Sequence, residues 1–271
     1  MTTKIEKLYS SLLVRKVVSY DDIMESARKI IGDNVDRKYV YRKYIGKLID
    51  NGKLKRVRRG LYVVLSPVEE IKGHVADKFL IGSKVRERYF FGFHTALTFY
   101  GCAYSVYNEV YICVTEQDRF DPFEFQGVRF RPVFVKDVNT GVEEKMYGKD
   151  ILQVSSKERT FIDCVDRVDY AGGWEECLKS LAGLGGLDFE KMLRLLDGYE
   201  KKILYRRVGY ILELLKKHSL FFEHLDEEVL DKLGEQVTET PRYLINGTSG
   251  SLHKRWNLYV PDDFEEFMRG I

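Results

Sequence analysis

Apolar positions recur at helical spacing through the first fifty residues. Ile5, Leu8, Leu12 and Leu13 mark one helix, and Ile23, Ala27, Ile30 and Ile31 mark a second. Ser19 precedes the second, Asp21 and Asp22 suit its positive end, and Gly32 can close it. Asp36 is placed to cap a third helix running to about Asp50, with Tyr41, Tyr44, Ile45 and Leu48 as its inner stripe. Arg37, Lys38, Arg42, Lys43 and Lys47 are left largely outside. Gly46 interrupts this helix at about 1 kcal/mol relative to alanine, either to admit another backbone or to no structural end. Two short β-prone runs follow, Leu54 to Val57 and Leu61 to Leu65, joined by Arg58-Arg59-Gly60. Gly60 supplies the positive φ of a tight hairpin. Three helices and a hairpin predict a winged helix-turn-helix over residues 1–66.

Residues 67–271 follow a different pattern. SPVEEIKGHVADKFLIGSK predicts a connecting helix, and YFFGFHTALTFYG predicts a strand running into a short helix. YNEVYICVT is rich in β-branched and aromatic residues and predicts a strand. FEFQGVRFRPVFV predicts a hairpin about Gln126-Gly127, with Val128, Phe130 and Phe134 on one face of its second arm and Arg129, Arg131 and Val133 on the other. GKDILQVSS adds a strand, and from Ser155 to about Leu233 the period is helical. The tail KRWNLYVPDDFEEFMRG predicts a last strand and a capping helix. Mixed and antiparallel strands first, helices afterwards, give an α+β class for this larger domain.

Charge separates the same two regions. Residues 1–66 hold 16 Lys and Arg against 7 Asp and Glu, whereas 67–271 hold 28 against 35. Five of the seven residues from Lys53 to Arg59 are basic. This asymmetry points to an anionic partner for the first region, and the third helix is sized for a major groove about 12 Å wide. Arg37, Lys38, Tyr41, Arg42 and Lys47 are therefore candidate groove residues. Lys55, Arg56, Arg58 and Arg59 are candidates for the phosphates, which set affinity and register. The rival reading is a protein-docking adaptor whose long basic side chains cover apolar surface.

Few other classes survive. No apolar run approaches the roughly 20 residues of a membrane helix, and MTTKIEKLYSS lacks a signal-peptide core. Cys102, Cys113, Cys164 and Cys177 lack metal-site spacing and read as reduced, buried thiols of a cytoplasmic protein. His74, His94, His218, His224 and His253 are scattered, with His94 at a helix start. No metal or cofactor is expected: the chain has no phosphate-binding glycine loop and no Asp-x-Asp pair. Asp137, Glu143 and Lys145 loosely match a metal-dependent nuclease, which would make the chain a DNA-tethered enzyme. In SSKERTFIDCVDR, Ser155 and Glu158 fit a capping box. Asp163, Asp166 and Asp169 fan round a helix as a solvated face.

Taken in order, the GKLKRVRRGLY wing, FGFHTALTFYG, ERTFIDCVDR and AGGWEE segments resemble the AbiEi-like antitoxins of type IV toxin–antitoxin (abortive infection) systems. The likeness runs to about residue 200. It implies a bacterial or archaeal non-enzymatic repressor that binds double-stranded DNA at repeats upstream of its own operon, as a monomer or homodimer. It also implies a larger domain that counteracts a nucleotidyltransferase-type toxin without a stable complex. The wing falls on Lys53 to Tyr62. The second signature falls on Glu158, Arg159, Thr160 and Asp163, which read as architectural, with Arg159 able to pair with a carboxylate.

Overall fold

Thr3 and Ser19 each open a helix through a reciprocal capping box, answered by Glu6 and Asp22. These helices are α1 (Lys4–Leu12) and α2 (Tyr20–Ile31), with the short strand β1 (Val17–Ser19) between them. The structure, a computed structural model, describes residues 2–72 and 75–270. Asp36 caps α3, which spans 37–50, by accepting the Tyr39 amide at 2.9 Å. Arg37–Val40 and Gly46–Asp50 are α-helical, but Tyr41–Ile45 forms a π turn, closed by the Gly46 amide on the Tyr41 carbonyl. The added residue turns Tyr41 out of its expected inner stripe to 40% exposure, and Val40 is buried there with Tyr44, Ile45 and Leu48. Gly46 admits no second backbone segment: a Cβ there would touch only the Tyr41 carbonyl of its own helix.

β2 (Leu54–Arg58) and β3 (Leu61–Val64) form the expected hairpin, and Gly60 at its turn has φ +82°. The antiparallel order is β1-β3-β2. One face of this sheet (Val18, Leu54, Tyr62 and Val64) packs on Leu8, Leu12, Ile23, Ile45 and Leu48 of the three helices.

The predicted connecting helix is two helices, α4 (Pro67–Lys72) and α5 (Lys78–Ser83), with Gly73 and His74 outside the described residues. A six-stranded sheet follows, made of β4 (Phe90–Phe91), β5 (Glu109–Val114), β6 (Phe123–Phe125), β7 (Val128–Phe134), β8 (Val142–Tyr147) and β9 (Asp150–Ser155). Its order is β6-β7-β5-β4-β9-β8. The β5–β7 and β4–β9 pairs are parallel and the others antiparallel, so the class is mixed α+β as expected. The foreseen hairpin turns at Gln126 and Gly127, both at positive φ.

Both faces of this sheet are covered. Phe90, Tyr111, Cys113 and Val133 face α6 (Phe93–Phe99), α7 (Lys157–Asp166), α8 (Trp174–Ala182), α9 (Phe189–Tyr199) and α10 (Lys202–His218). Phe91, Val110, Ile112, Phe130 and Val154 face the other way, onto α5 and the outer face of the N-terminal sheet, where Val17, Leu61 and Val63 join the same apolar cluster. Phe134, expected beside Phe130, is instead 42% exposed at the strand's end. The four cysteines lie in or against the helix-side core, and burial pushes their thiols up, Cys102 to about 11.

Past α11 (Glu227–Gly234), the tail builds a sheet rather than one strand: β10 (Arg242–Tyr243), β11 (Ser251–His253) and β12 (Leu258–Val260), ordered β10-β12-β11. Arg206 of α10, fully buried, holds it by donating to the carbonyls of Thr238, Thr240 and Asn257. Strands of two or three residues carry too little alternation to be read from sequence. Among the described residues, no helix is long and apolar enough to cross a membrane.

Candidate nucleic-acid interface

The hairpin and α3 meet in an open concavity of about 760 Å³, lined by Tyr20, Arg37, Lys38, Tyr41, Arg42, Arg56, Arg59, Gly60 and Tyr62. Six of the nine sequence candidates thus share one surface. Arg37 is steered by its neighbours: Nη2 lies 3.0 Å from Asp21, its guanidinium carbon is 4.7 Å from the Tyr20 ring centroid, and its carbonyl accepts the Tyr20 hydroxyl at 2.6 Å. Among the described residues Lys38, Arg42, Arg56 and Arg59 have no carboxylate partner, and all four are exposed. The π turn aims this chemistry, because it sets Tyr41 and Arg42 outward from a helix whose other face is locked in the core.

The remaining candidates lie elsewhere. Lys47 is exposed further along α3, outside the concavity. Lys55 and Arg58 point to the opposite face of the hairpin. The Lys55 ammonium is 5.6 Å from the Phe125 ring centroid, and the Arg58 guanidinium is 4.8 Å from Phe123 and 5.9 Å from Phe120. Arg58 is half-buried and its Nη1 has no hydrogen-bond partner among the described residues. Burial, then the like charge of Arg86, lowers its pKa from the usual guanidinium value, while Asp121 works against the shift. The cause is a β-bulge. Arg56 pairs with Tyr62 and Arg58 with Leu61, so the register skips Val57 and puts the two arginines on opposite faces.

The second signature is buried in the wall between the six-stranded sheet and its helices. The expected capping box does not form: Ser156, not Ser155, caps α7 by accepting the Arg159 amide, and the Ser155 hydroxyl bonds that of Thr160 at 2.7 Å. Glu158 leaves its own helix to accept the Asp188 amide at 3.0 Å and to pair with Lys191 at 2.9 Å. Burial works to raise its pKa, but these bonds hold it below the usual carboxylate value. Asp163 is not part of a solvated face. It is 6% exposed, 3.3 Å from Arg159 Nε, and accepts the Tyr199 hydroxyl at 2.6 Å. Burial raises its pKa against the pull of Arg159 and Tyr199. Arg159 also donates to the carbonyls of Asp137 and Thr140, and its guanidinium lies 4.2 Å from the Phe90 ring centroid. Only Asp169 of the three aspartates is exposed.

Two of the nuclease-like residues pair with each other, and the third is bound to the backbone. Asp137 accepts the backbone amides of Asn139 and Thr140, while Glu143 pairs with Lys145 at 2.6 Å and Lys191 at 2.5 Å. No cluster of three metal-ligating side chains occurs among the described residues. His94 does open a helix, α6, but it is buried there, stacked on Tyr107 at 4.1 Å and 3.0 Å from Glu176. Burial lowers its pKa and Glu176 opposes the shift.

No family model matches the chain, and no curated protein matches it. Its fold is similar to the crystal structure of the Rv2827c protein from Mycobacterium tuberculosis. The two superpose with a TM-score of 0.64 over 95% of this chain and 91% of that one, at 14% identity, a likeness of fold alone.

Proposed function

We propose that this chain is a transcriptional regulator that binds double-stranded DNA through its first 66 residues, used as a winged helix. The observation that carries this reading is the set of four cations, Lys38, Arg42, Arg56 and Arg59, without carboxylate partners among the described residues, that line one concavity from two elements. In that docking, α3 enters the major groove and presents Lys38, Tyr41 and Arg42 to base edges. The sugar–phosphate strand beside the groove runs through the concavity, where Arg56 and Arg59 hold its phosphates. The resemblance noted in the sequence extends the proposal: the regulator is the autorepressing antitoxin of a type IV system, opposing a nucleotidyltransferase-type toxin.

A reporter driven by the region upstream of this gene tests it. Wild-type protein represses the reporter, and Arg56→Glu/Arg59→Glu, expressed to the same level, releases it. Output that neither protein changes would remove the regulator reading.

A further inference from the structure

The larger unit contains a second cavity, of about 300 Å³, that DNA binding leaves unused. It lies between the end of β7, the segment after it, α7 and α9. The three carboxylates in its wall are committed. Asp163 bonds Arg159 and Tyr199, Asp166 pairs with Lys201 at 2.6 Å, and Asp137 accepts two backbone amides. Two cations in its wall have no carboxylate partner among the described residues. Arg167 donates one hydrogen bond, to the Phe134 carbonyl at 3.1 Å, and its guanidinium lies over two rings, 4.3 Å from the Tyr170 centroid and 5.5 Å from that of Phe93. Lys136, exposed, has no ion pair among the described residues. The unspent polar capacity is therefore cationic, and it sits beside the exposed Phe134 and the half-buried Leu195.

Two backbone features single out the same place. Phe93, fully buried, adopts φ +54°, a conformation that costs a non-glycine residue free energy and that concentrates at functional sites. Gly198, exposed, is the penultimate residue of α9, and glycine is a poor helix former. A Cβ at Gly198 would meet nothing within 4 Å, and the residue lines the cavity. No packing constraint demands glycine there; what its absent side chain preserves is open space.

We propose that this cavity binds a small amphipathic anion. One carboxylate or phosphate group sits on Arg167, with Lys136 beside it, and an aromatic or aliphatic body lies against Phe134 and Leu195. Gly198 keeps the entrance clear. This proposal is independent of the DNA reading.

Calorimetric titration of the full chain with phenylacetate and phenyl phosphate tests it, with phenethylamine as a cationic analogue. At least one anion binds with a millimolar Kd, the two anions distinguish carboxylate from phosphate, and phenethylamine binds at least about tenfold more weakly. Arg167→Gln weakens the anion about tenfold or more. Gly198→Leu abolishes binding while raising Tm by about 2 °C, because leucine is the better helix former. That gain shows that the variant is folded. The proposal is overturned if neither anion binds at about 10 mM, if phenethylamine binds equally well, or if Arg167→Gln or a folded Gly198→Leu binds as the wild type does.

Discussion

Reversing Arg56 and Arg59 together to glutamate lowers affinity for duplex DNA at least about a hundredfold at moderate salt. The slope of log affinity against log salt falls from about −4 toward about −2. The expected wild-type slope follows from the concavity, which offers four cations unpaired among the described residues and a fifth, Arg37, partly satisfied by Asp21. Each phosphate contact contributes about −0.9 to the slope, so two reversals remove about half of it. Arg58→Gln provides the contrast. Its guanidinium lies on Phe120 and Phe123 across the seam between the two sheets, so the change acts on stability and leaves the slope nearly intact. Fluorescence anisotropy with a labelled duplex over a salt series measures all three proteins. A flat salt response in the wild type would favour the adaptor reading. Equal loss of slope in Arg58→Gln and Arg56→Glu/Arg59→Glu would contradict the division of the hairpin into two faces.

Truncation of Arg159 to alanine destabilises the protein by about 3–5 kcal/mol, the cost of leaving a buried charge without its partner. Asp163 is 6% exposed and would retain only the Tyr199 hydroxyl, and the Asp137 and Thr140 carbonyls would lose their donor. Asp163→Asn in the same chain removes the orphaned charge and recovers part of the loss. The sign of the pH dependence follows from the shift. Burial already raises the Asp163 pKa in the folded protein, and the guanidinium is what restrains it. A carboxyl whose folded pKa exceeds its unfolded value binds its proton more tightly in the folded state. Its contribution therefore favours folding at low pH and is lost as pH rises through the folded value. Without Arg159 that value climbs further, so the deficit of the variant shrinks as pH falls through it. Urea midpoints over a descending pH series measure this, and a loss below about 1 kcal/mol would mean that the pair is not the wall's keystone.

The three helices and the hairpin of residues 1–66 were legible because their signals are local: capping serine and aspartate, helical stripes and a glycine turn; β1, three residues long, was not. The gathering of Arg37, Lys38 and Arg42 beside Arg56 and Arg59 followed from those elements. The faces of the hairpin did not. Lys55, Arg56, Arg58 and Arg59 look equivalent in sequence, and only the bulge at Val57 and the second sheet packed behind β3 separate them. The π turn left one local sign, Gly46 in mid-helix, whose meaning appears only when its amide reaches the Tyr41 carbonyl. The Arg159–Asp163 pair was present at i,i+4 spacing. Its burial depends on Tyr199, from a helix 36 residues downstream, which no local period encodes. The first serine of Ser155-Ser156 fitted a capping pattern, and the fold used the second because Glu158 was drawn to Asp188 and Lys191.

Amide hydrogen exchange of the full chain, with and without a duplex carrying the upstream sequence, tests the central claim most directly. The account predicts protection confined to the exposed turn of α3 about residues 37–43 and to the hairpin about residues 56–60, with the edge strand β8 and the α11 region unchanged. Protection centred on the larger unit, with α3 and the hairpin exchanging as in the free protein, would contradict it.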